Sequence, residues 1–315
     1  MKHRNAFGLG RCEREHNMFR HESGSTSVIG RAPVLVLLGL MMLATMPAQS
    51  QGPPPQFNPP KSYYLALGDS LSFGYQSFKA HANLPPSAFN TGYVDVFGAR
   101  LREIRPGIIT VNYGCPGEST QSFVTGPCIW TATGHQLHDT FSGSQLQAAV
   151  AFLRAHPGEV SPITFTLWGN DFPMLLGPCT FNGQIDLNCV RDAAPGFATE
   201  LVKRISGILE QLRSAAPNAE IIMMGTVDTF LGAFAFADPL FQALNTLMAQ
   251  AATANRVRFA DPFPVFNPQG AVSAEVQAIC TLTLLCTDGD SHPSDTGYRA
   301  LATLIFDTSQ YIRLQ

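Results

Sequence analysis

Several motifs that announce an enzyme are missing from this 315-residue sequence. It has no Gly-x-Ser-x-Gly elbow, no His-Glu-x-x-His, no Gly-x-x-x-x-Gly-Lys and no Ser-x-x-Lys. Their absence sets aside α/β-hydrolase elbows, zinc peptidases of the helical type, phosphate-loop nucleotide hydrolases and β-lactamase-type serine enzymes. No two cysteines have the Cys-x-x-Cys spacing of a zinc site. Charge is scarce as well, at 14% of residues, with no basic run and no interleaving of basic and aromatic residues. Nucleic acid is therefore not an expected partner. The longest apolar run, residues 34–45, falls short of the roughly 20 residues a membrane helix requires.

That run is informative in another way. It follows a basic stretch (Lys2, Arg4, Arg11, Arg14, Arg20, Arg31) and ends in Ala48-Gln49-Ser50, the order of charge, apolar segment and small residues found in a secretory signal peptide. Residues 1–50 are accordingly expected to be a signal peptide, 51–61 an exposed Pro/Gly/Gln-rich lead-in, and 62–315 one domain in a secreted or extracytoplasmic protein. Without residues 1–50 the chain keeps 14 Lys/Arg against 20 Asp/Glu, a formal charge of −6. It also keeps six cysteines, 115, 128, 179, 189, 280 and 286. An even number in an exported chain points to disulfides, and pairing in chain order closes three short loops: Cys115 with Cys128, Cys179 with Cys189, Cys280 with Cys286. No permanent membrane span is expected once the signal is gone, and a monomer is the expected state.

From residue 62 onward, short apolar β-rich runs alternate with helical periodicity. Strands are expected over 63–67, 108–112, 163–167, 221–225 and 257–260, with helices over 92–105, 144–155, 197–215, 239–254 and after Ser294. Such alternation without internal repeat argues for a mainly parallel five-stranded sheet covered on both faces by helices, a three-layer α/β/α sandwich. Three strands end in polar, glycine-containing turns: Gly68-Asp69-Ser70 after the first, residues 113–120 after the second, and Gly169-Asn170-Asp171 after the third. Open α/β sheets bind ligands at the carboxyl ends of their strands, so these turns share one functional edge. The loops 75–91, 125–143 and 172–190 lie on the same edge and would set specificity.

Ester hydrolysis by a nucleophile needs a hydroxyl, a base in hydrogen-bond reach, a group to orient the base, and donors facing the oxyanion. Ser70 offers the hydroxyl. His292, between acidic residues and a proline-opened helix, offers the base. Gly114 can turn a backbone N–H toward a ligand, and Asn170 carries an amide donor. Four blocks in this order resemble those of the SGNH, or GDSL, hydrolase superfamily: Gly68-Asp69-Ser70, Gly114, Gly169-Asn170-Asp171 and His292-Pro293.

The resemblance implies a flavodoxin-like α/β/α fold, with Ser70 as nucleophile and His292 as general base and then acid. It also implies an oxyanion hole from the N–H groups of Ser70 and Gly114 and the Asn170 amide. One departure stands out. The family often places the third triad member three residues before the histidine, and here that residue is Gly289. Asp290 is the preferred orienter, with Asp288 or a backbone carbonyl as alternatives, and Asp69 is expected to brace the nucleophile's turn.

A secreted esterase or lipase acting through an acyl-enzyme, with no cofactor and no metal, is the resulting expectation. Its substrate would be a small-molecule or lipid ester. A phospholipid, a thioester or an acetylated sugar fits the same chemistry, and a non-catalytic lipid- or carbohydrate-binding protein is the contrasting class. His135, His138 and Asp139 form the only candidate metal group in the loops, and loop histidines usually have no such role. Trp168, beside Asn170, reads as a cleft wall. Phe73, Phe172 and Phe234 are read as core, with no site role.

Overall fold

In a computed structural model, residues 55–230 and 237–315 are described; the expected signal peptide and Phe234 lie outside them. Five strands form the central sheet: β1 (Tyr63–Gly68), β2 (Ile109–Asn112), β3 (Val160–Thr166), β4 (Ile221–Met224) and β5 (Arg258–Ala260). Their order is β2-β1-β3-β4-β5 and every pairing is parallel. This is the flavodoxin-like order, with its topological switch beside β1.

Period-two alternation explains why the strands read as unbroken apolar runs. Tyr64 and Ala66 face one layer, made by helices α1 (Tyr93–Ile104) and α5 (Asp295–Ser309). Leu65 and Leu67 face the other, made by α2 (Gln145–Ala155), α3 (Leu187–Ala215) and α4 (Ala237–Ala254). Residues 64–67 are fully buried, and each large apolar side chain so buried contributes about 1.5–3 kcal/mol. The turn that follows β1 therefore starts from a rigid base.

Several expectations need correction. Helix α3 begins at Leu187 and not near 197. Pro195, a residue that ordinarily breaks a helix, sits inside α3. Its missing N–H costs one backbone bond, and this is offset by the Asp186 cap on Asn188 and Cys189 N–H and by burial of Val190 and Ala194. The expected loop 172–190 likewise contains a short helix, Phe172–Leu176, and a small hairpin of Thr180–Phe181 with Gln184–Ile185. Loop 125–143 holds one short helix, Ile129–Ala132. The lead-in is not wholly exposed. Asn58 N–H donates to Glu220 at 3.0 Å, Tyr311 Oη donates to the Asn58 carbonyl at 3.0 Å, and the Phe57 and Tyr311 rings meet edge to face. The three expected disulfides are present: Cys115–Cys128, Cys179–Cys189 and Cys280–Cys286. Among the described residues, no helix is long and apolar enough to cross a membrane.

Candidate active site

The site begins where β1 stops. Gly68 has φ +123°, and a Cβ there would lie 1.7 Å from the Thr166 carbonyl oxygen on β3, so only glycine fits. Asp69 then caps the four-residue helix Ser70–Phe73, its Oδ1 accepting the Leu71 N–H at 3.0 Å and the Thr166 hydroxyl at 3.1 Å. Burial pushes the Asp69 carboxyl up to about 6, against the pull of those donors and of His292. Ser72 adds a second anchor, with Oγ 2.7 Å from the Leu67 carbonyl and 2.6 Å from Thr166 Oγ1. Asp69 thus braces the turn, as its sequence position suggests.

Ser70 presents Oγ 2.9 Å from His292 Nε2, and His292 Nδ1 lies 2.6 Å from Asp290 Oδ1. A carboxylate can only accept, so the neutral ring carries its proton on Nδ1 and leaves Nε2 free to take one from Ser70. His292 is not in a loop. It lies in the short strand Asp290–Pro293, paired with Thr283–Leu284, a ladder that fixes its direction. Asp290 Oδ2 also accepts the Ser77 N–H at 2.7 Å. Burial alone would raise the Asp290 carboxyl. The His292 ring and the Ser77 and His292 N–H groups outweigh it and hold Asp290 well below the usual carboxylate range. Asp288, the alternative, is exposed and bonded to the Thr287 hydroxyl.

Asn170 follows β3 in the turn Gly169–Asp171. Its Nδ2 donates one hydrogen to the Glu118 carbonyl at 2.9 Å and keeps the other. Next to it, buried Asp171 accepts the Thr120 N–H at 2.9 Å and the Thr120 hydroxyl, tying the second and third turns together. Trp168 is not a cleft wall: it is fully buried in the core, with φ +87°. Its backbone is left-handed and its indole packs in the buried cluster against Phe172.

Gly114 also differs from expectation. Its N–H donates to Asn112 Oδ1 at 2.9 Å, so that donor is occupied. Its lack of a side chain serves packing instead, because a Cβ would lie 2.5 Å from Phe73 N. The glycine missed by sequence reasoning is Gly117. Pro116 and Gly117 are the central residues of a turn closed by the Glu118 N–H on the Cys115 carbonyl at 3.0 Å, and Gly117 has φ +86°, as a type II turn requires. The N–H groups of Ser70 and Gly117 have no hydrogen-bond partner among the described residues. The Pro-Gly pair was the available signal.

The loop histidines have other partners. His135 stacks on Trp130 at 3.9 Å, His138 Nε2 donates to the Phe73 carbonyl at 2.9 Å, and Asp139 Oδ2 accepts the Asn112 N–H at 2.7 Å. Asp228, Asp238 and Glu275 place ligand atoms within 4.8 Å of one another, and none of them bonds to Ser70 or His292. A cleft of about 250 Å³ is lined by Phe73 of the helix Ser70–Phe73 and by Leu84, Pro85, Phe89, Trp130 and His135, the last five from two of the loops expected to set specificity. Tyr75 joins it to the site, its ring 4.5 Å from that of His292 and 5.7 Å from that of Trp130.

No curated protein matches the sequence. Among solved structures, the chain is similar in fold to the extracellular lipase of Streptomyces rimosus (16% identity, 78% of this chain and 99% of that one, TM-score 0.51). It is also similar to phospholipase A1 of Streptomyces albidoflavus NA297 (18% identity, 79% and 99%, TM-score 0.52) and to the lipase Lip_vut3 from a goat rumen metagenome (19% identity, 80% and 99%, TM-score 0.53). The sequence pattern of one family spans residues 66–300, from β1 to α5. The chain belongs to the GDSL-like lipase/acylhydrolase family, hydrolases that act on esters.

Proposed function

We propose that this chain is a secreted serine esterase or lipase that hydrolyses carboxylic esters through an acyl-enzyme. The observation that carries the reading is the line from Asp290 Oδ1 through the His292 ring to Ser70 Oγ, with contacts of 2.6 and 2.9 Å. Ser70 Oγ attacks the acyl carbon while its proton passes to His292 Nε2, and Asp290 stabilises the imidazolium. The carbonyl oxygen becomes an oxyanion that accepts from the Ser70 N–H, the free Asn170 Nδ2 hydrogen and, in place of Gly114, the Gly117 N–H. Collapse breaks the ester C–O bond, and His292 returns the proton to the leaving alcohol. Water then repeats the cycle on the acyl-enzyme and releases the acid.

Secretion is supported by the six paired cysteines, which suit an oxidising compartment, and by the charge and apolar pattern of residues 1–50. The test is turnover of p-nitrophenyl acetate and butyrate by the chain from residue 51, with peptide mapping after a serine-directed phosphonate. Turnover with label at Ser70 is expected. Neither turnover nor label would overturn the proposal and favour a binding protein.

A further inference from the structure

Beneath the oxyanion donors lies a carboxyl group that the reaction does not use. Glu118 is 1% exposed, and its Oε2 accepts the Gln145 Nε2 hydrogen at 3.1 Å. Gln145, the first residue of α2 and fully buried, uses the rest of its amide on one residue of β1. Its Nε2 donates to the Gly68 carbonyl at 2.9 Å, and its Oε1 accepts the Gly68 N–H. A side-chain amide here grips both backbone groups of Gly68, two residues before Ser70. The Glu118 main chain faces the other way, its carbonyl holding Asn170 Nδ2 at 2.9 Å.

Glu118 is therefore joined to the nucleophile's turn through its side chain and to the Asn170 amide through its main chain. We infer that Glu118, acting through Gln145, is a positioning residue that sets the Asn170 amide at its working distance from the Ser70 turn. The inference rests on the serine-hydrolase reading above. Its physical basis is that an oxyanion hole works only if its donors are preorganised, since a displacement of about 1 Å can cost about 10²-fold in rate. The Thr120–Asp171 contact joins the second and third of the turns after β1, β2 and β3, and the Cys115 N–H on the Gly68 carbonyl at 2.9 Å and the Asn112 amide on the Ser72 carbonyl at 2.8 Å join the second to the first. The Glu118–Gln145 contact adds the tie that continues to the Asn170 amide. Glu118 suits this work best as a neutral acid. Its Oε1 is buried with no hydrogen-bond partner, and Asp69 is the nearby charge.

The test compares Glu118→Ala, Gln145→Ala, the double variant and Glu118→Gln in p-nitrophenyl butyrate hydrolysis, with active sites counted by end-point phosphonate labelling. Each alanine variant should lower kcat per labelled site by about 10- to 100-fold and leave KM within about twofold. The double variant should be no worse than the poorer single one, because one linkage is broken either way. Glu118→Gln, which keeps an acceptor for the Gln145 amide, should recover most of what Glu118→Ala loses. Unchanged kcat per labelled site in Glu118→Ala, with only melting temperature lowered, would overturn the inference. So would additive losses in the double variant. A wild-type chain with neither turnover nor label would instead defeat the hydrolase reading itself, so the two failures are distinct.

Discussion

His292 Nδ1 lies 2.6 Å from Asp290 Oδ1 although only Ser291 separates the two residues in sequence. The geometry is that of an Asx turn: the same Oδ1 accepts the His292 backbone N–H at 3.1 Å. Gly289, with φ +68°, reverses the chain just before it. An acid two residues before the histidine thus reaches the ring because its side chain folds back on its own strand.

Asp290→Asn should consequently lower kcat by roughly 10²- to 10⁴-fold, since the amide presents a donor toward Nδ1 and favours the wrong tautomer. Asp288→Ala should stay within about twofold of wild type. Steady-state kinetics on p-nitrophenyl butyrate separates the two, and the reverse ranking would make Asp288 the orienter.

Asn170→Ala should reduce kcat by about 10²- to 10³-fold and change KM little, because its free amide hydrogen faces charge that develops only in the transition state. Equal effects on KM and kcat would assign Asn170 to ground-state binding.

The two glycines of the second turn should respond differently. Gly114→Ala drives a Cβ to 2.5 Å from Phe73 N and 2.7 Å from Ser72 C, a backbone clash expected to cost about 2 kcal/mol or more. It should appear as a lowered melting temperature. Gly117→Ala meets only the Ile129 side chain, at 3.1 Å, and strains a left-handed φ by about 1 kcal/mol. It should keep the fold and lose kcat. Urea melts alongside kinetics provide the comparison.

Burial raises the Glu118 carboxyl from its ordinary 4.5 to about 7, against the pull of the neighbouring Ser122 hydroxyl and of the Gln145 amide, and the nearby Asp69 charge raises it further. Between those two values the folded chain holds a proton that the unfolded chain releases. This contribution to stability is complete below about 4.5 and is lost as the pH rises through about 7. Glu118→Gln has no such loss. Its melting temperature relative to wild type should therefore rise between pH 5 and pH 8, by an increment worth at most on the order of 3 kcal/mol. A pH-independent difference between the two proteins would show that Glu118 does not change charge in this window.

The layered fold was legible because its signals are local. The β1 run is apolar at nearly every position since both faces are covered, and α1 and α2 carry their periodicity, and α2 its Ser144 cap, within a dozen residues. The start of α3 is not legible locally because Pro195 and Gly196 disfavour helix within a short window. The buried cluster of Val190 and Ala194 that overrules them is built with Leu175, Cys179 and Leu240, beyond the few residues over which a helix breaker is weighed. The burial of Trp168 is hidden for a related reason: its left-handed backbone, unusual for a large residue, cannot be read from composition.

By itself, the sequence determined the strand alternation, the glycine-bounded turns at three strand ends, the family, and the short list from which a site can be built. Only the tertiary structure decided which members of that list meet. Ser70 and His292 are 222 residues apart, and the second turn offers two glycine N–H groups, one of them occupied by Asn112. A hydrogen bond depends on direction as well as residue type. Direction is set when β1, β2 and β3 lie side by side and the Asp290–Pro293 strand folds back over their ends.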